Sequence, residues 1–581
     1  MRVSYQHANP HSGRESTLLK FHDEVQGQTT CVLVDAGEDV DVDDLLGEDE
    51  YLTAVLLTHA HLDHYRTLGT NLRDGAPIYA TPETASAITT RLETGTSHAD
   101  ITDAGAVREA LEPVHEWTTV SPDVRVHPVP AGHAPGACGF VLEFSDGDDR
   151  HHVLATGDFT ERRAAGYPGM QTDVPADAVL LTGATNEDAG DALTDAVATA
   201  VRRARAGSTT LATASASTGV HLAYLVAAVA ERDSLPVPVT LAGRVATLWD
   251  AFGYDHPGVE SVPTFDAPDD VLEPGAVTIA GPATPVAGSS ERLFGALADD
   301  AGATLVQVTS GALEPVRSAR CSVYDAQVSN HPDEATVDSV VEQLQPIHVV
   351  VTHQQGAAAD RYKDRYDSFV WATDDTAAYT LYDDGEWVGP PWVTEATRRR
   401  VRASRYGGES ATIGLPADAT DLPLPTVTRH EEVDLAAEGV DVDRLADALD
   451  LDAGVFESGP TADRGDATPD ETTPPSESGS DRGLADAADQ DRVEGCPDTA
   501  ATETERSEGV TELLARLDRI EAELTGRRTR ATVVDAGDDV TMLRLADNGV
   551  ATALDHGEVV DVSVRPVEET PDGDGEPDGS T

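Results

Sequence analysis

From residue 1 to about residue 389, short apolar runs rich in Val, Leu and Thr alternate with longer stretches of helical period. Runs at 30–34, 54–58, 124–129, 139–144, 152–156, 178–181, 277–280 and 347–352 are bounded by Gly, Asp or Pro, and their lengths predict buried strands. Between them, 191–206 carries Leu193, Val197 and Val201 at four-residue spacing, and 333–345 carries Val337, Val340, Val341 and Leu344 after Pro332. Both predict helices with one apolar face, so the expected class is layered α/β. Past Trp392 the pattern stops. Arg398, Arg399, Arg400, Arg402 and Arg405 form the densest basic cluster of the chain. Residues 430–506 are rich in Asp, Glu, Ala, Thr, Ser, Pro and Gly with few aromatics, and are expected to be mostly disordered, since they offer too little apolar surface to offset ordering entropy. Residues 508–526 then read as one helix, with Val510, Leu513, Leu517, Ile520 and Leu524 at alternating three- and four-residue steps. Barely two heptads long, it suits a face packed on its own domain as well as a dimerising coil. Segments 531–534, 540–545 and 559–564 suggest a small β module, followed by an acidic tail.

The length of 581 residues allows roughly three to five domains of about 150 residues. No apolar run approaches the roughly 18 residues of a membrane span, and the first 30 residues lack a signal-peptide layout, so a soluble cytoplasmic protein without membrane partners is expected. Cys31, Cys138, Cys321 and Cys496 lie far apart, which excludes a disulfide framework and a cysteine zinc finger. The formal charge of −65, with Lys20 and Lys363 the only lysines, changes the picture more. Such self-repulsion destabilises a compact chain in dilute buffer, but at about 1 M salt the Debye length is roughly 3 Å and the repulsion is screened. A halophilic setting is expected, and the charge then does not exclude a polyanionic substrate.

The chemistry is concentrated at residues 55–64, where an apolar strand runs into His59, His61, Asp63 and His64. Imidazole and carboxylate suit Zn²⁺, and alternate spacing at a strand end points His59 and His61 the same way, with Asp63 and His64 on the turn into the next helix.

This HxHxDH segment resembles the metallo-β-lactamase fold. An upstream strand ends in Asp35, residues 131–137 are similar to the family's AGHxPG segment and contain His133, and 155–159 resemble its TGDF with Asp158. Further on, the chain resembles the β-CASP branch of that fold, which includes ribonuclease J and the nuclease of cleavage and polyadenylation. Residues 207–229 and 277–290 are similar to strand-turn-helix units of the branch's inserted domain. Residues 328–333, with His331, are similar to its SAHAD motif, and 349–353 to its terminal strand and histidine, here His353. The resemblance covers about residues 1–390. It implies an αββα metallo-β-lactamase sandwich in two parts, 1–186 and 329–390, around an inserted β-CASP α/β domain at 187–328. Composition adds the basic cluster and acidic linker at 391–506, a helix plus β module at 507–567 and a tail at 568–581.

Carried over by position, the resemblance implies that His59, His61 and His133 hold one Zn²⁺ and Asp63, His64 and His353 the other, with Asp158 bridging. Mn²⁺ is an alternative. Asp63 and Asp158 would serve the reaction at the metals, and His331 would protonate the leaving oxygen. Asp35 would orient a ligand imidazole from behind, or simply be a polar strand end. The expected activity is metal-dependent hydrolysis of RNA, internally or from the 5′ end. The Arg398–Arg405 cluster stands either as an RNA contact or as a solvated linker, and a homodimer is compatible with the sequence. Three departures bear on activity. Gly183 stands where the family has a glutamate that orients the general-acid histidine. Val220 stands where it has a phosphate-binding arginine, and Gln354-Gln355 replaces its Gly-Glu. They leave open a catalytically weak RNA-binding homologue, and the versatility of the scaffold leaves open a hydrolase for another ester. The remaining histidines, His98, His115, His127, His151, His152 and His348 among them, lack ligand spacing and are expected to be structural or on the surface.

Overall fold

The computed structural model describes residues 1–93, 101–232, 237–310, 314–363, 365–406, 423–451, 531–535 and 541–545. The chain forms two compact units, 1–464 and 465–581.

In the first unit two sheets lie face to face. One has eight strands in the order Glu386–Trp387, Tyr379–Asp383, Arg2–His7, Thr17–Asp23, Gln28–Val34, Leu52–Leu56, Ile78–Ala80 and Leu111–Pro113. The other has seven: Phe369–Trp371, His348–Thr352, Ala178–Thr182, Asp149–Ala155, Cys138–Asp146, Val124–Pro130 and Thr118–Ser121. The apolar runs of the central strands are continuous because these strands are buried on both faces, and successive side chains part to opposite sides. Val32, Val34, Ala54 and Leu56 meet Phe140, Leu142, Leu180 and Val350 in the core between the sheets. Cys31, Leu33, Val55 and Leu57 point outward and pack with Ile88 of the helix Pro82–Glu93. On the far side Val179, Leu181, Val349 and Val351 pack against Val337, Val340 and Val341 of the helix Glu334–Leu344. The result is a helix–sheet–sheet–helix sandwich.

The strands Ala178–Thr182 and His348–Thr352 are parallel neighbours, with Thr182 opposite Thr352. Between them in sequence the chain builds a third sheet of six parallel strands, ordered Val259–Val262, Val239–Ala242, Val277–Ala280, Thr210–Thr213, Thr304–Thr309 and Ser322–Gln327. The helices Ala189–Arg205, Ala216–Arg232 and Arg244–Ala251 share one core with it, and the helix Gly288–Leu297 packs in another. Departure and return at adjacent strands bring Thr182, His353 and the loop before Glu334 to one end of the sandwich.

Residues 430–451 depart from the expected disorder. The helix Val442–Leu449, capped by Asp441 accepting from the Arg444 amide, buries Leu445, Ala446 and Leu449 in the same core as the helix Ala189–Arg205. An amphipathic turn hides inside an acidic composition there, since Asp443 and Asp447 stay exposed while the leucines face inward. The basic cluster begins on the helix Glu395–Tyr406. Cys496, His98 and the helix expected over 508–526 lie outside the described residues. In the second unit Ala531–Asp535 pairs antiparallel with Thr541–Leu545. Among the described residues, no helix is long and apolar enough to cross a membrane.

Candidate metal centre

The strand Leu52–Leu56 ends at the buried Leu57, and the next residues turn across the end of the sheet. Asp35, one residue past the neighbouring strand and in the left-handed region at φ 57°, fixes that turn. Its Oδ1 accepts the Thr58 backbone N–H at 2.9 Å, and its Oδ2 accepts the Thr58 hydroxyl at 2.9 Å and the His64 Nδ1–H at 2.8 Å. The Thr58 hydroxyl, having given its proton to Asp35, accepts from His59 Nδ1 at 3.0 Å. On the other side His133 Nδ1 donates to the Asn330 carbonyl at 3.0 Å. Gly132 makes room for this loop, for at φ 73° a Cβ there would lie 2.3 Å from the Arg162 carbonyl oxygen. At His59 and His133 the bond commits one ring nitrogen as a donor, so the lone pair of the other points inward.

The inward nitrogens converge. His59 Nε2 is 3.0 Å from His61 Nδ1, which is 2.9 Å from His133 Nε2. Ligands about 2.0–2.1 Å from one tetrahedral Zn²⁺ would be separated by only a little more than this. Asp63, His64 and His353 form a second group, with Asp63 Oδ2 3.9 Å from His64 Nε2 and 4.0 Å from His353 Nε2. Asp158 joins the two. Its Oδ2 lies 3.4 Å from His64 Nε2 and 3.8 Å from His133 Nε2, while its Oδ1 takes bonds from the Thr182 hydroxyl at 2.9 Å and His353 Nδ1 at 2.8 Å. His331 reaches the same carboxylate, Nε2 to Oδ2 3.7 Å. Four triplets of these side chains, His59-His61-His133, His59-His64-Asp158, Asp63-His64-His353 and His133-Asp158-His331, bring donor atoms within 4.8 Å of one another.

The electrostatics divide along the same line. Burial, with the neighbouring imidazoles, lowers His59 well below the ordinary histidine value and His61 to about 4. Burial likewise lowers His133 to about 4 against the pull of Asp158. These rings stay neutral and keep their lone pairs at neutral pH. Burial also disfavours charge on His64 and His353, but Asp158, joined at His64 by Asp35, outweighs it and raises both. For Asp158 burial is overcome by His353, His331 and His64, which hold its carboxyl well below the usual range. A divalent ion fits this donor set. His64 Nε2 is buried and, among the described residues, lacks a hydrogen-bond partner, and it faces carboxylate oxygens that a cation would share with it.

Three features escaped the sequence reading. Thr58 bridges Asp35 and His59 from inside the motif, where only its place before His59 hints at it. The Asn330 carbonyl acts through the backbone, which no side-chain pattern signals. Glu15 is 6 % exposed and lines a small cavity with Thr17, Asp35, His64, Asp158 and Thr182. Burial pushes its carboxyl up. It sits in a turn with no periodicity to mark it.

The helix Ala216–Arg232 reaches the centre, with Ser217 Oγ 3.4 Å from His61 Nε2. Among the described side chains of the arginine cluster, Arg398 bonds the Pro390 carbonyl, Arg399 pairs with Glu395 and Arg400 with Asp367, away from the centre. The side chains of Arg402 and Arg405 lie outside the described residues. Of the other histidines, His348 accepts from Trp371 Nε1, and His152 pairs with Glu143.

Residues 30–209 match a family model described as a beta-lactamase superfamily domain. No curated protein matches the chain. Among solved structures it is similar to a protein of unknown function from Enterococcus faecalis V583, at 14% identity and TM-score 0.47, over 66% of this chain and 100% of that one. The chain thus carries a beta-lactamase superfamily domain whose histidine–aspartate cluster is compatible with a metal-dependent hydrolase.

Proposed function

We propose that the protein is a metal-dependent phosphodiester hydrolase acting on RNA, with two Zn²⁺ ions (or Mn²⁺) held by His59, His61 and His133 and by Asp63, His64 and His353, Asp158 lying between. The observation that supports this is the convergence of His331 on the same aspartate that joins the two groups, which brings a further imidazole beside the candidate metal site. Bound divalent ions would neutralise phosphate charge and lower the pKa of water.

The side chains around them have separable tasks. Asp35 and Thr58 fix the rings of His64 and His59. Asp63, at 56 % exposure the most accessible carboxylate of the set, accepts a proton from the attacking water. As the bond from phosphorus to the 3′ oxygen breaks, its electron pair stays on that oxygen, and His331 Nε2 delivers the proton that neutralises it. RNA as the substrate rests on the likeness of the motifs at His331 and His353 to β-CASP ribonucleases. A halophilic cytoplasm rests on the charge.

A second reading, an RNA-binding homologue with weak catalysis, is favoured by Gly183. A Cβ there would lie 2.7 Å from Gln354 Cγ, so Gln354 fills the space a side-chain carboxylate would need. The test is purified protein in molar KCl with labelled RNA, with and without chelator. Chelator-sensitive cleavage, lost in His59→Ala and Asp158→Ala, is expected. Binding without cleavage selects the second reading, and turnover of a generic ester with indifference to RNA overturns both.

A further inference from the structure

We propose that Arg162, braced from behind by the segment 423–451, is the positioning residue for His331 and does from the backbone side what no side chain at position 183 can do. This rests on His331 acting as the proton donor.

His331 Nδ1 is buried and, among the described residues, has no hydrogen-bond partner, so no described carboxylate holds the ring from behind. The loop that carries it is held instead. Arg162 Nη2 donates to the His331 carbonyl at 2.6 Å, and its Nε donates to Asn330 Oδ1 at 3.2 Å. With that oxygen taken, the Asn330 amide nitrogen faces the other way and donates to the Gly132 and His133 carbonyls, at 3.1 and 3.0 Å. From the opposite side Asn186 Nδ2 bonds the Ser329 carbonyl at 2.8 Å, and the Asn186 N–H bonds the Pro332 carbonyl at 2.8 Å. A guanidinium presents its donors in a rigid plane, so the two bonds fix the His331 carbonyl and the Asn330 side chain relative to each other. One arginine thereby ties the proton donor to the loop of His133.

Arg162 is itself held. The Arg163 N–H bonds the Ala437 carbonyl at 2.7 Å, and the Glu438 carboxylate, fully buried, accepts from the Ala165 and Gly166 N–H groups at 2.8 Å each and lies 2.8 Å from His221 Nε2. Gly439 then lies directly on the arginine stem: at φ 88°, a Cβ there would be 2.2 Å from Arg162 Cδ. Residues 434–441 therefore close over Arg162 and leave its fork pointing at the loop.

The experiment uses the full chain with two substrates: RNA, whose leaving oxygen needs a proton, and bis(para-nitrophenyl) phosphate, whose leaving group does not. Arg162→Ala is expected to lower kcat on RNA by about 10²-fold with KM little changed, the scale set by small misplacement of a catalytic group. It should leave the activated ester nearly unaffected and cause no further loss in combination with His331→Ala. Arg162→Lys, keeping charge but losing the fork, should recover part of the rate. Equal loss on both substrates, or additive loss with His331→Ala, overturns the proposal. A readout free of turnover is hydrogen exchange in the metal-free protein. Amides of residues 328–336 should exchange faster in Arg162→Ala and, more mildly, in Gly439→Ala, and unchanged exchange there overturns the proposal. If wild-type protein cuts no RNA, the nuclease reading falls, while the exchange experiment still decides whether Arg162 holds the loop.

Discussion

The two halves of the metal centre are built on opposite principles. At His59, His61 and His133, ring nitrogens sit 2.9–3.0 Å apart, and burial keeps the rings uncharged. At Asp63, His64 and His353 the separations are 3.9–4.0 Å, Asp63 is half exposed, and Asp158 favours protonated rings. The first half has its lone pairs ready for a cation. The second must give up protons to accept one. A neutral cage gains affinity from preorganised lone pairs, whereas a cage compensated by carboxylates trades protons for metal and answers to pH.

The largest effect should come from removing what the halves share. Asp158→Ala takes a carboxylate from both groups and leaves His353 and the Thr182 hydroxyl without their acceptor. Metal analysis on dialysed protein should show neither ion retained stoichiometrically, and any hydrolytic activity should fall by about 10³-fold, equivalent to about 4 kcal/mol of transition-state stabilisation. Retention of one tight ion would mean that the halves are independent. Next comes a direct contrast: His133→Ala should abolish the tighter binding step and His353→Ala the weaker one, each costing one equivalent in calorimetric titration. If His353→Ala removes the tighter step, the assignment of strengths is reversed.

Proton competition separates the halves without mutation. His61 and His133, lowered to about 4, take up few protons as pH falls from 8 to 5, so the first ion should be held across most of that interval. Asp158 raises His64 well above and His353 above the ordinary histidine value, so in the absence of metal both rings take up protons at a higher pH than His61 and His133 do. Affinity at that half should therefore fall as pH falls, by up to about tenfold per pH unit for each proton displaced. Two-step metal loss, second half first, is expected in pH-resolved titration. Simultaneous loss would break the comparison.

How much of this the sequence discloses follows the same division. His59, His61, Asp63 and His64 are legible because they crowd the end of one apolar strand. The strands are legible because two-sided burial turns them into unbroken apolar runs. Residues 434–451 were not, since charged composition outweighs a single amphipathic turn when the partner surface, the helix Ala189–Arg205, is unknown. Glu15 and the Asn330 carbonyl were not legible for a different reason. One lies in an aperiodic turn, and the other acts through the main chain, so their roles exist only once distant segments meet.

The smallest effect separates the supports rather than the ligands. Asp35 serves both halves, bonding His64 Nδ1 directly and reaching His59 through the Thr58 hydroxyl. Thr58→Val keeps the shape of the turn and removes only the second path. His59 Nδ1 then loses its acceptor, and the ring is free to turn its lone pair away from His61 and His133, while His64 keeps its bond to Asp35. Affinity in the three-histidine half should drop by about tenfold, the low end of what partners behind metal-ligating histidines contribute, with the carboxylate half unchanged. Asp35→Asn should weaken both, and more strongly at His64, where charge as well as a hydrogen bond is withdrawn. Equal weakening of both steps by Thr58→Val would show that the turn, rather than the ring of His59, is what Thr58 supports, and the two halves would then share a scaffold more intimately than their electrostatics suggest.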